Sequence, residues 1–347
     1  MKLALISDAW RPQVNGVVTT LTHTCAALKK LGHVVETFTP DRFRNYPCPT
    51  YTEIRLALGC GGKLSRLLDK LEPDAVHIAT EGPLGLAGRR YCRTRKIPYT
   101  SSFHTRFPEY VNLRFKFPLS WAYAFLRWFH GASERVMVAT PSLQGELEAL
   151  GFRNLVLWSR GVDAELFRPR ANTFLAEQRP IFLYAGRVAV EKSVQDFLQL
   201  QLPGTKVVVG DGPQRAELEA KYPAARFVGC KMGEELASHF AAADVFVFPS
   251  RTDTFGLVLL EALACGVPVA AYPVPGPRDV ITDFSVGSLD EDLGRAALTA
   301  LHLDSEACRR HALQYSWENC ARQFFGHLAP ITGRSVRPAV WWKRFPT

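Results

Sequence analysis

The sequence predicts an α/β protein made of two doubly wound parallel-sheet domains in tandem, facing each other across a cleft. Three observations predict it. Short apolar runs alternate with helical stretches from the first residues onward, and the runs are apolar on both faces, as buried parallel strands are. The chain has 347 residues, of which 47% are apolar, enough for two filled cores. Near residue 160 the texture turns polar and rich in turn formers, and a second strand–helix series then begins.

In chain order, "KLALIS" reads as a buried first strand and "GVVTTLTHTCAALKKLG" as a helix ended by Gly32. "HVVETFT", "DAVHIA", "IPYTSSF", "ERVMVATP" and "NLVLWS" follow as strands, and "RGVDAELFRPRANTFLAEQRP" reads as the interdomain linker. The second series is "IFLYAG", "KVVVGDG", "RFVG", "DVFVFPS" and "VPVAAYP", and the tail with "YSWENCARQFFGHL" reads as terminal helices. The expected division is a Rossmann-like domain over 1–165, a second over 166–305, and helices over 306–347 that pack back toward the first domain. Ligands of such sheets sit at the carboxyl ends of the strands, so the cleft is the expected site.

Composition narrows the function. No run of about 18 apolar residues offers a membrane span, and the N-terminal run reaches Asp8 too soon for a signal peptide, so the chain is expected in the cytoplasm. Eight scattered cysteines include no C-x-x-C pair and no histidine cluster, which argues against structural zinc and disulfides. The net charge is +9, and residues 86–135 hold ten Lys or Arg against two acids, Glu109 and Glu134. Such a face suits nucleic acid, an anionic membrane or phosphorylated substrates, or is simply solvated.

Four stretches carry candidate chemistry. In "SDAWRPQVNGVVTTL" a loop runs into a helix after Asn15 and Gly16, where backbone can approach an anion. It is not a G-x-G-x-x-G fingerprint, and none occurs elsewhere, which counts against a dinucleotide dehydrogenase. In "YAGRVAVEK" a strand ends at Gly186, and Arg187 and Lys192 place two cations at its carboxyl end, a set suited to a diphosphate. In "RTDTFGLVLLEAL" Asp253 and Glu261 stand with an apolar run between them, Asp253 at the entrance of a helix and Glu261 about two turns in. Either the first merely caps the helix and the second is solvated, or both accept hydroxyls of a sugar nucleotide. In "RFKFPLSWAYAFLRWFH" Trp121, Phe125 and Trp128 recur at helical spacing among Arg114, Lys116 and Arg127, which suits a membrane interface or a buried helix.

The set "GRVAVEK", "VVVGDGP" and "TDTFGLVLLEALACGVPV", preceded by "SDAWRPQVNGVVTTL", "ATEGPLG", "SSFHTRFPEY" and "SRGVDAELFRP", resembles the signatures of retaining GT-B glycosyltransferases that use nucleotide-diphosphate sugars. The likeness spans nearly the whole chain; the set is similar to bacterial GDP-mannose-dependent α-mannosyltransferases and also resembles sulfoquinovosyl and glycosyl transferases acting on diacylglycerol. It implies the GT-B fold, with an acceptor-side first domain and a nucleotide-sugar-binding second domain. It implies that Glu261 holds the ribose, that Asp253 with the backbone of Phe255, Gly256 and Leu257 holds the transferred sugar and diphosphate, and that Arg187 and Lys192 neutralise the leaving diphosphate. Gly186 shares that loop, and Gly16 faces it from the other domain. The family often has glutamate at the first acid, so Asp253 is one methylene shorter. His104 matches the family's cleft histidine, with an expected catalytic hydrogen bond to the transferred sugar or the reacting centre; Glu81, Tyr110 and Arg160 are candidates on the acceptor side.

The implied reaction transfers a sugar from GDP-mannose to a hydroxyl of a lipid or glycan with retained configuration. The resemblance implies no cofactor and no metal, with the two cations taking the metal's place. The alternatives are a UDP-sugar-dependent diacylglycerol glycosyltransferase (glucosyl, glucuronosyl or sulfoquinovosyl), a sugar-nucleotide epimerase and a non-catalytic sugar-nucleotide binder. The expected partners are the nucleotide sugar, the lipid or glycan acceptor and an anionic membrane at the inner face of the cell membrane, and not nucleic acid.

Overall fold

The computed structural model describes residues 1–48, 51–171 and 173–331. The side chains of 51–53 and 113–115, Arg114 among them, and the end of the expected tail at 332–347 lie outside the described part. The first domain is a six-stranded parallel sheet of β1 (Lys2–Ile6), β2 (Val34–Phe38), β5 (Ala75–Ile78), β6 (Thr100–Phe103), β7 (Arg135–Val138) and β8 (Leu155–Leu157), in the order β2-β1-β5-β6-β7-β8. A short antiparallel hairpin, β3 (Asn45–Cys48) with β4 (Tyr51–Ala57), stands beside it. The helices are α1 (Gly16–Lys30), α2 (Gly61–Leu71), α3 (Pro83–Arg95), α4 (Phe107–Phe115), α5 (Leu119–His130) and α6 (Pro141–Ala149).

The second sheet repeats the pattern with β9 (Ile181–Ala185), β10 (Thr205–Val209), β11 (Arg226–Gly229), β12 (Val245–Phe248), β13 (Val269–Ala271) and β14 (Gly287–Leu289), in the order β11-β10-β9-β12-β13-β14, again parallel. Its helices are α7 (Val194–Gln199), α8 (Arg215–Lys221), α9 (Gly233–Ala242), α10 (Leu257–Ala264), α11 (Pro277–Val280) and α12 (Leu293–Ala300), followed by α13 (Ser305–Ala312) and α14 (Trp317–His327). Strand order reverses between β1 and β5 and between β9 and β12, and open α/β sheets bind ligands at such points.

Strands β5, β6, β9 and β12 are buried along their whole length, as their apolar runs require. Polar side chains on the first-turn amides fix the starts of α1 and α3. The Asn15 side chain accepts from Val18 N at 3.0 Å at the head of α1. Asp8, leaving β1, accepts from Leu84 N at 2.8 Å and Gly85 N at 3.1 Å and so caps α3 from outside. Burial pushes its carboxyl pKa up, against the pull of those bonds.

The two terminal helices part company. Arg309 of α13 donates to the carbonyls of Phe167 and Ala264 at 2.7 Å and of Ala164 at 2.8 Å, tying the linker to the second domain. Helix α14 crosses to the first domain and lies on α1, where Trp317 stacks on His23 at 4.7 Å and Phe325 on His33 at 4.3 Å. Its Phe324 packs on the fully buried Trp158 at 4.9 Å, and the indole N–H of Trp158 donates to Cys320 O at 3.2 Å. Burial of such aromatic and leucine side chains contributes about 1.5–3 kcal/mol each.

Two departures from the sequence expectation concern local structure. The hairpin and the short strand β14 are additional. Helix α10 starts only at Leu257, so Asp253 precedes it by a loop, and Glu261 stands just over one turn in rather than two. Gly256 at its N-cap has φ of +84°, a left-handed conformation that delays the helix start.

Candidate active site

The loop after β9 carries the first group of candidates. A single 3₁₀ turn over Val190–Lys192 swings the Lys192 side chain toward the loop after β12. Glycines make this possible from below. A Cβ at Gly210 would lie 1.8 Å from Gly186 O, and one at Gly212 would lie 2.3 Å from Val188 O, so the "VVVGDGP" loop can run against the "GRV" backbone only without side chains there.

Lys192 Nζ donates to Asp253 Oδ1 at 2.5 Å. Burial opposes the lysine charge, but the Asp253 carboxylate, with Tyr110 and Tyr184 beside it, raises the ammonium pKa overall. Asp253 does not cap α10: no side chain caps that helix. Its second oxygen, Oδ2, is buried and has no hydrogen-bond partner. The neighbouring Thr252 donates to Glu191 O at 3.0 Å, which fixes the Asp253 loop to the Lys192 turn. Arg187 stands on the same loop, its pKa lowered by burial against the pull of Glu191. One turn into α10, the half-buried Glu261 has its carboxyl pushed up to about 7 by burial.

The first domain closes over this group. Tyr110 of α4 reaches Thr252, Lys192 and Asp253, and burial raises its hydroxyl pKa while Lys192 opposes the rise. Thr254 Oγ1 donates to His104 O across the cleft at 2.7 Å. Gly16, at the head of α1, is so near that a Cβ there would lie 3.6 Å from Leu257 Cδ1. Away from the cleft, Ser142 N and Oγ both donate to Asp279 Oδ1, at 3.2 and 2.9 Å, and join α6 to α11.

His104 follows β6 and ends a buried chain of hydrogen bonds. Thr100 Oγ1 meets His77 Nδ1 at 2.9 Å, His77 Nε2 meets Ser102 Oγ at 3.1 Å, and Ser102 Oγ meets His104 Nε2 at 2.8 Å. Arg160 Nη2 lies 3.3 Å from His104 Nδ1. A guanidinium can only donate, so Nδ1 accepts and the His104 proton sits on Nε2. Burial, then the charges of Arg160, His77 and His130, hold the His104 pKa well below the usual histidine range. Both ring nitrogens are thus engaged inside the first domain. In this conformation His104 offers the cleft its backbone carbonyl and the edge of a neutral ring.

Arg160 lies beside His104. It is only 4% exposed. Its guanidinium lies 4.5 Å over the Trp158 ring and donates to Trp158 O at 2.5 Å and Ser159 O at 3.2 Å. Burial pushes its pKa down to about 10. Its guanidinium thus packs against His104 within the first domain. Glu81 begins the turn into α3, where its Oε1 lies 3.1 Å from His130 Nε2, with His130 Nδ1 on Ser101 Oγ at 2.8 Å.

The structure thus gathers Gly16, His104, Tyr110, Arg187, Lys192, Asp253 and Leu257 along one cleft, with Glu261 deeper on α10 and Glu81 on the first-domain side. Sequence reasoning missed Thr252 and Thr254, which flank Asp253 and hold its loop to Glu191 and His104. It also missed His77, whose signal was a polar residue inside the buried strand "DAVHIA". Among the described residues, no group of three or more His, Cys, Asp or Glu is placed to hold a metal ion.

Two family models match the chain in succession. Residues 14–166 match the model of Glycosyltransferase Family 4, and residues 179–302 match Glycosyl transferases group 1. A GDP-mannose-dependent alpha-mannosyltransferase of Mycobacterium tuberculosis is 30% identical over 98% of this chain and 99% of its own. An alpha-monoglucosyldiacylglycerol synthase of Streptococcus pneumoniae is 26% identical over 94% of this chain and 84% of its own. Among solved structures, a sucrose-phosphate synthase from Thermosynechococcus elongatus superposes with a TM-score of 0.74 at 22% identity, covering 94% of this chain and 97% of that one. HepE of Anabaena in complex with UDP superposes with a TM-score of 0.69 at 14% identity, covering 94% and 99%. These two likenesses establish the GT-B fold.

Proposed function

The chain belongs to the glycosyltransferases, family 4 in its first half and group 1 in its second, and from that premise we propose that it transfers mannose from GDP-mannose to a hydroxyl of a lipid or glycan acceptor, with retained configuration and without a metal ion. The observation that carries the proposal is the Lys192–Asp253 pair at the mouth of the cleft, with Asp253 Oδ2 buried and unpartnered. An unsatisfied buried acceptor costs about 1–3 kcal/mol. A hydroxyl of the transferred sugar, donated to Oδ2, removes that cost.

Lys192 and Arg187 face the diphosphate and stabilise the charge that grows on it as the sugar departs. The bond from the anomeric carbon to the diphosphate oxygen breaks, and the acceptor oxygen bonds that carbon on the same face. The acceptor proton passes to the departing phosphate oxygen. Glu261 accepts the ribose hydroxyls, and the base rests near residues 229–236, between β11 and α9. Gly16 and the first amides of α10 line the diphosphate and sugar, with Tyr110 on the acceptor side. His104 shapes the sugar pocket with its neutral ring and carbonyl, and Arg160 holds it.

The full-length likeness to the GDP-mannose-dependent enzyme supports the choice of donor. A second reading keeps the site and moves a UDP-linked sugar to diacylglycerol; the likeness to the alpha-monoglucosyldiacylglycerol synthase favours it. The test is incubation of the purified protein with GDP-mannose, UDP-glucose or UDP-glucuronic acid, a lipid extract and excess chelator, with product mass as the readout. A hexose added to a lipid or glycan from GDP-mannose supports the proposal. Transfer from the UDP sugars alone selects the second reading, and release of an altered sugar nucleotide without an acceptor product overturns both.

A further inference from the structure

Helices α3 and α5 lie side by side on the first domain. Arg89 of α3 donates to Phe129 O at 3.0 Å and Trp128 O at 2.8 Å, and its guanidinium lies 3.8 Å over the Trp128 ring. Between the helices is a groove of about 390 Å³ lined by Leu86, Arg89, Arg90, Arg93, Thr94 and Trp128. Three of the six lining residues are arginines and none is acidic; burial lowers the Arg89 pKa, with Tyr99 opposing and the like charge of Arg93 adding to the fall. Like charges gathered without a carboxylate are an anion site in waiting.

Helix α5 buries Tyr123, Leu126, Phe129 and His130. It leaves Trp121, Phe125 and Trp128 exposed by 71%, 41% and 53%, one turn apart on one face. Phe125 and Trp128 touch, with ring centroids 5.8 Å apart, so the aromatic face continues into the arginine groove. Phe117 and Leu119 extend the apolar surface past the helix start. Scattered exposed aromatics need no explanation, but an aromatic stripe beside a basic groove does. The window that holds both, residues 86–135, carries ten Lys or Arg against two acids. That balance fits an anionic bilayer: rings at the acyl boundary, guanidiniums on the phosphates.

We infer that the α3–α5 face docks on an anionic phospholipid membrane, with a lipid phosphate seated in the Arg89–Arg90–Arg93 groove beside Trp128. The same two helices reach the cleft, where Glu81 at the head of α3 meets His130 at the end of α5. From Pro83 to Arg93 the helix rises about 15 Å, so a docked molecule holds the acceptor side of its cleft near the headgroups. This consequence, a lipid-borne acceptor, rests on the glycosyl-transfer reading; the docking itself does not.

The test is co-sedimentation of the full chain with phosphatidylglycerol–phosphatidylcholine vesicles and with pure phosphatidylcholine vesicles, at low and high salt. Two variants are compared, Arg90→Glu with Arg93→Glu, and Trp121→Ser with Phe125→Ser. Thermal melting and GDP binding are measured in parallel as controls for fold and for the donor site. The expected result is binding to the anionic vesicles at low salt that high salt reverses. The charge-reversed pair should weaken it at least ten-fold, on a scale of about five-fold per juxtamembrane basic residue. The aromatic pair should weaken it too, with both controls unchanged. Equal binding to neutral vesicles, wild-type binding by both variants, or binding of an RNA oligonucleotide in place of vesicles would overturn the inference. Absent GDP binding by the wild type would instead count against GDP-mannose as the donor and leave the docking test standing.

Discussion

Lys192 and Asp253 come from loops that follow two different strands of one sheet, β9 and β12, yet meet at 2.5 Å. The contact joins a cation suited to a diphosphate and an acid whose other oxygen is buried without a partner. Charge and hydrogen-bond demand are thus set side by side where a glycosyl diphosphate would break.

Removing either cation should strike the chemical step. Lys192→Ala and Arg187→Ala are each expected to lose about 100-fold or more in turnover, the scale of one strong electrostatic contact to the transition state. Wild-type turnover in the double variant would remove both residues from the mechanism.

Glu261 gives the nucleotide site a pH dependence. In the free protein its carboxyl is pushed up from 4.5 to about 7. The folded state therefore holds this proton more tightly than the unfolded chain, and its contribution to stability is present below pH 4.5 and lost as pH rises through 7. Ribose hydroxyls donate to the ionised form, so GDP-mannose affinity should rise with pH, by about ten-fold between pH 6 and 8. The phosphodiester charges of that ligand do not titrate in this range. Calorimetry at the two pH values checks this, and Glu261→Gln should bind weakly and with little pH dependence.

Arg160 is expected to act through His104. Arg160→Met removes the donor to Nδ1 and the charge that helps hold the histidine neutral, so the His104 pKa should rise. The expected result is a turnover loss of about ten-fold or more, with GDP affinity within two-fold of wild type and a new inflection in the pH–rate profile. Arg160→Lys should recover part of the rate, since it keeps the charge without the planar fork. A loss of melting temperature alone, with an unchanged pH profile, would leave Arg160 a purely structural residue.

Much of this was legible in the sequence, and the reasons differ by element. The strands were plain because fully buried parallel strands leave continuous apolar runs, as in "IFLYA" and "VFVF". The hairpin escaped because Pro47 and Pro49 interrupt the alternation that marks paired strands. Asp253 and Glu261 could be found by their spacing, but the start of α10 could not, since it depends on the left-handed Gly256. The direction of Arg160 was beyond sequence reading. It is set by Trp158, which is itself held by Cys320 and Phe324 on a helix that crosses from the far end of the chain.

The most direct measurement is a paired one: turnover and donor affinity for Asp253→Ala and Glu261→Ala in excess chelator, against wild type. If Asp253 holds the transferred sugar and Glu261 the ribose, wild type keeps full turnover in chelator. Asp253→Ala then loses turnover by at least ten-fold more than it loses affinity, and Glu261→Ala loses chiefly affinity, because ribose contacts are alike in ground and transition states. Wild-type turnover in Asp253→Ala, or unchanged GDP-mannose binding in Glu261→Ala, would contradict the assignment of the cleft.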